Sequence, residues 1–242
     1  MVVGDFPLGG KVAVVTGGGS GINLAFVRLA LQASAKVLIA DLKLLPEAEQ
    51  VVKESHGQCA FAECDVSNWS DLNRLPSEVA NAFNGAVADV WIAGAGVFEP
   101  QWSSFLYDRE EDHYKAMQIN AEHPIKLTRI AMRSALGANK PAVVLIVASG
   151  AGITGQYGAA LYCATKHAVV GFTKSMGQAD IDENIKIVCI LPGMVATPLW
   201  YVYLRVEPPL RISCTKTTWA RLYSPPAWSL QAAENRTSLV FS

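Results

Sequence analysis

Three side chains in the second half of the chain have types and spacing that suit proton transfer: Ser149, Tyr162 and Lys166. Tyr162 and Lys166 are four residues apart, so on a helix they lie on one face, one turn apart. A tyrosine hydroxyl with its ordinary pKa of about 10 is a poor base at neutral pH, but a neighbouring ammonium group favours the phenolate and lowers that pKa. Such a group can take a proton from an alcohol or return one to a ketone. The same spacing also occurs on helices without any catalytic role, so the pair supports a catalytic role only together with a cofactor site elsewhere in the chain.

The elements on either side are predicted to hold these residues in place. The apolar run Ala142–Ala148 predicts a buried parallel strand, and Ala164–Met176 predicts a helix. Ser149 follows the strand directly, so its hydroxyl can hydrogen-bond the same oxygen that Tyr162 serves.

A glycine-rich segment near the start of the chain suits a phosphate group. It lies between a predicted strand, Lys11–Thr16, and a predicted helix from about Leu24 to Gln32. This arrangement points backbone N–H groups and a helix N-terminus at a phosphate, and glycines let the backbone approach a pyrophosphate closely. The alternative is an ordinary turn. The predicted contacts are Gly17, Gly19, Ser20, Gly21 and Ile22.

The residue after the second predicted strand, Lys36–Ala40, indicates which cofactor binds. That residue is Asp41, whose carboxylate can accept hydrogen bonds from a ribose diol and would repel a 2′-phosphate. Lys43 is the only cation nearby in the sequence, and no arginine lies in the glycine loop or directly after Asp41. These residues favour NAD over NADP, whereas the alternative is a strand-end turn residue.

The remaining segments predict a Rossmann-type α/β fold with a doubly wound parallel sheet, helices on both faces and a single domain. We count six strands alternating with helices, and a C-terminal seventh strand stays uncertain. Small residues, Gly94 to Gly96, follow the fourth strand and leave room for a ligand. A long helix, Asp112–Leu136, carries Asn120, and Pro124 marks a kink or a break in it. The other predicted elements are the helix Glu47–Glu54, the strand Cys59–Glu63, the helix Trp69–Phe83 and the strands Asp89–Ala93 and Ile185–Leu191.

Composition excludes several classes of function. The 242 residues carry a net charge of −1, so no basic surplus indicates nucleic acid or an anionic membrane as a partner. The first residues lack the basic region and apolar core of a secretion signal, and Val12–Val15 is too short to span a bilayer. Five scattered cysteines without C-x-x-C spacing predict reduced core thiols, no metal site and a cytoplasmic protein.

Together these motifs resemble the short-chain dehydrogenase/reductase family over roughly residues 8 to 200. They are Thr16-Gly-Gly-Gly-Ser-Gly-Ile22, Asp41, Asp65-Val66, Asn120, Ser149, Tyr162-Cys-Ala-Thr-Lys166 and Pro192-Gly193 to Thr197. The resemblance implies a catalytic set of Asn120, Ser149, Tyr162 and Lys166 and a nicotinamide cofactor. Locally, the residues from Tyr162 to Lys174 and Glu207-Pro-Pro-Leu are similar to the NAD-dependent 15-hydroxyprostaglandin dehydrogenase branch, which oxidises lipid secondary alcohols. The further cofactor contacts that it implies are Asp65, Val66, Ala93, Gly94, Tyr162, Lys166, Pro192, Val195 and Thr197.

The chain departs from the family pattern at three places. Asn23 stands where the glycine motif has its last glycine, which allows tight helix packing near the pyrophosphate, so a lower cofactor affinity is expected. Ala93-Gly94 replaces an Asn-Asn pair, which predicts that side-chain hydrogen bonds bracing the strand end are lost. Residues 201–242 are a divergent substrate-lid or tail region of the domain formed by residues 1–200. This tail is an altered reading of an ancestral gene, a shortened lid or a disordered end.

The leading functional hypothesis is an oxidoreductase that transfers a hydride between a nicotinamide cofactor and a bulky, mostly apolar secondary alcohol or ketone. An aromatic wall with one polar focus suits such a substrate. The rivals are a catalytically weakened dehydrogenase-fold protein that acts as a nucleotide-binding or scaffold protein, and a pocket used for an unusual biosynthetic step. The predicted wall consists of Phe98, Trp102, Trp200, Tyr201 and Tyr203.

The resemblance also implies a homodimer built from two long helices of each subunit. Those helices correspond to Asp112–Leu136 and Ala164–Met176. The alternative is that their apolar residues face only their own sheet. The residues predicted at the interface are Leu127, Ile130, Ala131, Val169, Phe172 and Met176.

Overall fold

The protein, described here by a computed structural model for residues 6–98, 105, 111, 113–195 and 197–199, is built on a parallel sheet. Two short 3₁₀ turns, Gly150–Gly152 and Tyr157–Ala159, follow the strand Ala142–Val147. The strands are β1 (Val12–Thr16), β2 (Lys36–Asp41), β3 (Cys59–Glu63), β4 (Val90–Ala93), β5 (Ala142–Val147) and β6 (Ile185–Ile190). The helices are α1 (Gly21–Gln32), α2 (Pro46–Glu54), α3 (Trp69–Ala82), α4 (Lys115–Met117), α5 (His123–Gly137), α6 (Ala160–Ser175) and α7 (Ala179–Asp182).

The strand order within these residues is β3-β2-β1-β4-β5-β6. The chain therefore winds outward from β1 to β3, crosses back over the sheet and winds outward again from β4. This confirms the Rossmann-type doubly wound sheet and its single domain. The predicted tail, residues 201–242, and the uncertain seventh strand lie outside the described residues. Among the described helices, none is long and apolar enough to cross a membrane.

Hydrophobic periodicity explains which face each helix buries. Leu24, Val27 and Ala30 of α1 are buried three residues apart and pack on one face of the sheet with Ala48 of α2. The opposite face is covered by α3, α5 and α6. All five residues of β1 are buried, as expected for a central parallel strand.

The strand register brings the carboxyl ends of the strands to one level. Thr16 at the end of β1 pairs with Ala40 of β2 on one side and with Ala93 of β4 on the other, and Ala93 pairs with Ile146 of β5. Residues that follow these four strands therefore meet at one edge of the sheet. Ligands bind at this edge in open α/β sheets, where the strand order reverses.

The predicted helix Asp112–Leu136 is not one continuous α-helix. The short α4 leads into a π-helical segment, Gln118–Glu122, which contains Asn120, and α5 begins at His123. Pro124 has no N–H, so it cannot donate to the carbonyl of Asn120 four residues earlier. The irregularity therefore lies before Pro124 and places Asn120 inside it.

The prediction of which side chains line a dimer interface is wrong for most of the six residues. Leu127, Ala131 and Val169 have no exposed surface, and Ile130 is also buried. All four pack against their own sheet. Phe172 and Met176, in contrast, line an external groove between α5 and α6.

Candidate active site

A cavity of about 600 Å³ opens at the edge where the strand ends meet. Its walls come from the segments that follow five strands, β1 to β5, and from residues after β6. Most of the predicted site residues line it. Those residues are Gly17, Ser20, Gly21, Ile22, Asp41, Asp65, Val66, Gly94, Ser149, Tyr162, Lys166, Pro192, Val195 and Thr197.

The glycine loop after β1 needs its glycines for geometry. Gly17 has a φ of +68°, and a Cβ there would lie 2.7 Å from Cα of Ala95. Gly19 does not line the cavity, but its N–H donates to Oδ2 of Asp41 at 2.9 Å. A Cβ on Gly19 would lie 2.8 Å from that same oxygen. Asp41 therefore holds the loop in place.

The N-terminus of α1, the positive end of its helix dipole, faces this cavity. The helix begins at Gly21, the side chain of Ser20 does not cap it, and its first turn has no acidic residue. The first N–H groups of a helix have no intrahelical partner and, with the helix dipole, attract an anion. The loop, the helix N-terminus and Asp41 thus match the phosphate and ribose groups of a dinucleotide.

The far wall of the cavity contains Asp65 and Val66, at the end of β3. Oδ1 of Asp65 accepts hydrogen bonds from the N–H of Ser67 at 2.9 Å and from its hydroxyl at 2.6 Å. The side chain of Val66 is buried. Because this wall combines an oriented carboxylate with an apolar surface, it suits the edge and face of an aromatic base.

The expected loss of bracing at the end of β4 is wrong. Nδ2 of Asn23 donates to the carbonyl oxygens of Gly17 at 3.1 Å and of Gly94 at 2.9 Å. The N–H of Gly94 donates to the Thr16 hydroxyl at 3.0 Å. Ala93 itself is buried within β4 and does not line the cavity. Side chains from β1 and α1 therefore brace a strand end whose own residues are small.

The sequence assigns no site role to two buried side chains near the site, Thr16 and His123, although Thr16 opens the glycine motif. The Thr16 hydroxyl donates to the carbonyl of Ile92 and lies 3.0 Å from Nε2 of His123. Burial lowers the pKa of His123 to about 4, and the charge of Lys166 acts in the same direction. His123 is thus neutral at pH 7 and packs α5 against the end of β1. The sequence signals for Thr16 are that a polar residue ends a buried strand and that it opens the glycine motif.

Ser149, Tyr162 and Lys166 meet at the end of β5. The Ser149 hydroxyl accepts from the N–H of Ala151 at 3.2 Å and is hydrogen-bonded to Tyr162. The ring of Phe98 packs edge-to-face on Tyr162, with 4.7 Å between ring centroids. Nζ of Lys166 donates to the carbonyl of Val147 at 2.9 Å. The structure thus brings the three residues together as the sequence predicts.

The expected electrostatic effect of Lys166 on Tyr162 is wrong for this chain. Burial raises the pKa of Tyr162, and its hydrogen bond with Ser149 only opposes that rise. Nζ of Lys166 lies 5.6 Å from the Tyr162 ring centroid, and burial lowers the pKa of Lys166 to about 8. Desolvation is therefore the largest influence on the pKa of both groups.

Asn120 lies outside the cavity wall. Its side chain is buried and makes two hydrogen bonds with Val97: Oδ1 accepts from the N–H at 2.8 Å, and Nδ2 donates to the carbonyl at 2.9 Å. The amide therefore fixes the segment after β4. Among the residues of the predicted aromatic wall, Phe98 lines the cavity, whereas Trp102, Trp200, Tyr201 and Tyr203 lie outside the described residues.

Comparison with known proteins identifies the family. Residues 11–204 match the family model for the short chain dehydrogenases, and the chain belongs to this short-chain dehydrogenase/reductase family of oxidoreductases. Momilactone A synthase of Oryza sativa subsp. japonica is 32% identical over 195 residues, which cover 78% of this chain and 68% of the relative. L-fucose dehydrogenase of Bos taurus is 32% identical over 195 residues, covering 79% and 68%.

A solved structure agrees with this assignment. A short chain dehydrogenase/reductase from Burkholderia phymatum, in complex with NAD, superimposes with a TM-score of 0.73 at 25% identity. The match covers 90% of this chain and 78% of that chain. The curated relatives are named for different activities, so the comparisons establish the family and leave the substrate to the residues of the site.

Because its ammonium group is buried, Lys166 should make stability depend on pH. Between its folded pKa of about 8 and its higher unfolded pKa, the unfolded chain holds a proton that the folded chain has lost, so stability rises with pH. From about pH 7.5 to about pH 9.5, the wild-type protein should gain about 2 kcal/mol of unfolding free energy relative to Lys166→Met. Denaturant titrations at both pH values measure this difference. Lys174→Met, at an exposed position of the same helix, is the control, and equal pH slopes for wild type and Lys166→Met would contradict the expectation.

Proposed function

We propose that this protein is an NAD-dependent dehydrogenase that oxidises a bulky, mostly apolar secondary alcohol, or reduces the corresponding ketone. The observation that carries the proposal is that Ser149, Tyr162 and Lys166 line the same cavity as Asp41 and the glycine loop. One cavity thus combines a proton-transfer group with a site suited to a dinucleotide. When bound, NAD would supply the hydride acceptor for the alcohol, and the protein supplies placement and proton transfer.

Tyr162 is the proton carrier in this proposal. As a phenolate it takes the hydroxyl proton of an alcohol, and as a phenol, hydrogen-bonded to Ser149, it donates a proton to a ketone oxygen. Ser149 donates a hydrogen bond to the same substrate oxygen and so orients it. Because burial raises the pKa of Tyr162, the phenol holds its proton at neutral pH, which favours ketone reduction there and alcohol oxidation at higher pH.

Lys166 and Asn120 continue the path for the proton. Lys166, buried with a pKa of about 8, can exchange a proton near neutral pH and binds the nicotinamide ribose. Pro124 cannot donate to the carbonyl of Asn120, and this carbonyl can therefore accept a hydrogen bond from a water molecule. We assign that water the relay of protons between Lys166 and solvent.

The remaining predicted residues bind the rest of the cofactor. Thr197 and the backbone of Val195 hold the carboxamide, next to Pro192. A Cβ on Gly21 would lie 3.4 Å from Thr197, so the residues after β6 pack against the N-terminus of α1. Asp65 and Val66 contact the adenine, and Asp41 accepts hydrogen bonds from its ribose.

The cavity supports an apolar substrate. Lys166 is the only lysine or arginine among its described lining residues, and its side chain is buried. Phe98, Met194 and Leu199 line the same cavity, and Met194 is 56% exposed. In this proposal residues 1–200 bind the cofactor and catalyse, and residues 201–242, which lie outside the described residues, remain the predicted lid or tail region.

The groove between α5 and α6 supports a homodimer. It has a volume of about 410 Å³, and residues of α3, α5 and α6 line it. Ile125 is 39% exposed and Trp69 is 51% exposed, so an apolar surface remains uncovered in one subunit. We propose that the same surface of a second copy covers it. The lining residues are Trp69, Glu122, Ile125, Lys126, Thr128, Arg129, Met132, Phe172 and Met176.

The first test concerns the cofactor. Because the Asp41 carboxylate repels a 2′-phosphate, NAD should bind roughly 5- to 150-fold more tightly than NADP. Asp41→Asn keeps an oxygen that can accept from the N–H of Gly19 while removing the charge. It should therefore reduce the ratio of the NADP dissociation constant to the NAD dissociation constant. Calorimetric titration gives each dissociation constant. Asp65→Asn removes a carboxylate at the other end of the cavity and should leave the ratio unchanged; equal or tighter binding of NADP by the wild type would refute the preference.

The second test concerns the chemistry. Tyr162→Phe keeps the ring against Phe98 and removes only the proton carrier, so turnover should fall by about 10²- to 10⁴-fold while NAD affinity stays within about twofold. Tyr157→Phe is the matched control, because Tyr157 is 91% exposed. Across a panel of secondary alcohols, kcat/KM should rise about fourfold for each added methylene. Wild-type activity in Tyr162→Phe would refute the mechanism, and bound NAD without turnover of any alcohol or ketone would favour the scaffold function.

The third test concerns assembly. Light scattering at micromolar concentration should give the mass of a dimer, and Ile125→Glu should give a monomer because it places a charge in the apolar groove. Leu29→Glu changes an exposed residue of α1, 63% exposed, and should leave the dimer intact. A monomeric wild-type protein would contradict the proposal.

A further inference from the structure

The side-chain amide of Asn23 connects two loops that border the cavity. Asn23 lies in the first turn of α1 and is 9% exposed. Its Nδ2 donates to the Gly17 carbonyl, in the glycine loop, at 3.1 Å. The same nitrogen donates to the Gly94 carbonyl, after β4, at 2.9 Å. One amide group thus uses both of its N–H donors on main-chain oxygens from two different strand ends.

Gly94 leaves the space that this amide occupies. A Cβ on Gly94 would lie 2.3 Å from Oδ1 of Asn23 and 2.5 Å from both Cγ and Nδ2. These are the three nearest atoms to that Cβ, and all belong to Asn23. Gly94 also lies outside the set of glycines with a positive φ. Steric space for Asn23, and not backbone conformation, therefore requires glycine here.

The two connected loops have different tasks in cofactor binding. The glycine loop and the start of α1 face the phosphates, and the segment from Gly94 to Phe98 leads to Tyr162, which Phe98 contacts. Other side chains fix that second segment to the core: Thr16 accepts from the N–H of Gly94, and Asn120 binds Val97. Asn23 adds the bond that sets the glycine loop relative to this fixed segment.

We propose that Asn23 and Gly94 form a matched pair of positioning residues that sets the distance between the phosphate-binding and nicotinamide-binding loops. The two departures compensate for each other, since Asn23 on the helix fills the space that Gly94 leaves at the strand end. The role rests on the proposed NAD site. Neither residue takes part in proton or hydride transfer, so the pair acts on cofactor affinity and not on the chemical step.

The experiment combines substitutions that separate hydrogen bonding, packing and pairing. Asn23→Leu has a similar shape and no donors, so NAD should dissociate about tenfold more readily. The KM for NAD should rise by a similar factor, while kcat at saturating NAD changes less than about twofold. Gly94→Ala in the wild-type background should weaken NAD binding at least as much, because its methyl group collides with Asn23. In the Asn23→Ala background the same Gly94→Ala change should weaken NAD binding by less than about twofold, since the colliding atoms are gone.

Val27→Ala is the matched control for a purely structural effect. Val27 lies on the same helix and has no exposed surface, so its truncation lowers the melting temperature while NAD affinity stays within about twofold. Unchanged NAD affinity in Asn23→Leu would refute the positioning role, and an equal cost of Gly94→Ala in both backgrounds would refute the pairing. Both results leave the proposed function standing. A wild-type protein that binds no NAD would instead overturn the cofactor proposal together with the role of the pair.

Discussion

The alignment of parallel strand ends is the constraint on which the rest of this structure depends. Thr16 pairs with Ala40 and with Ala93, so the main-chain hydrogen bonds of three adjacent strands end at one level. Each polar or glycine residue that follows is delivered to the same edge of the sheet. Asp41 can then hold the glycine loop through the N–H of Gly19. A slip of one residue in either pairing would turn the side chains of a whole strand to the opposite face.

Burial dominates the electrostatics of the site. The described residues around Tyr162 and Lys166 exclude water, which raises the pKa of the phenol and lowers that of the ammonium. The two shifts move the groups apart in proton affinity, because the ordinary pKa values of tyrosine and lysine nearly coincide and burial raises one and lowers the other. Burial thus disfavours the charged form of each group, the phenolate and the ammonium. The same desolvation lowers the stability of the fold at any pH at which one of these groups is charged.

Local irregularities in the chain are compensated by residues far away in sequence. Asn23 stands where a glycine is expected, and Gly94 stands where an amide side chain is expected. The amide of Asn23 occupies the space that Gly94 leaves and donates to its carbonyl oxygen. The π-helical segment before Pro124 places Asn120 so that its amide binds Val97. In each case a feature that weakens one element locally is satisfied by a main-chain group of another element.

The sequence by itself determined the order of strands and helices and the identity of the residues that gather at the strand ends. Apolar periodicity and strand-end polarity are local signals, so the doubly wound sheet and the grouping of Ser149, Tyr162 and Lys166 could be predicted. Only the tertiary structure decided how those residues behave. It showed that burial raises the pKa of Tyr162 and lowers that of Lys166, and that Leu127 and Val169 face their own sheet. It also showed that Asn23 braces the strand end. Desolvation, helix rotation and steric fit depend on which atoms surround a side chain, and neighbours that are distant in sequence supply those atoms.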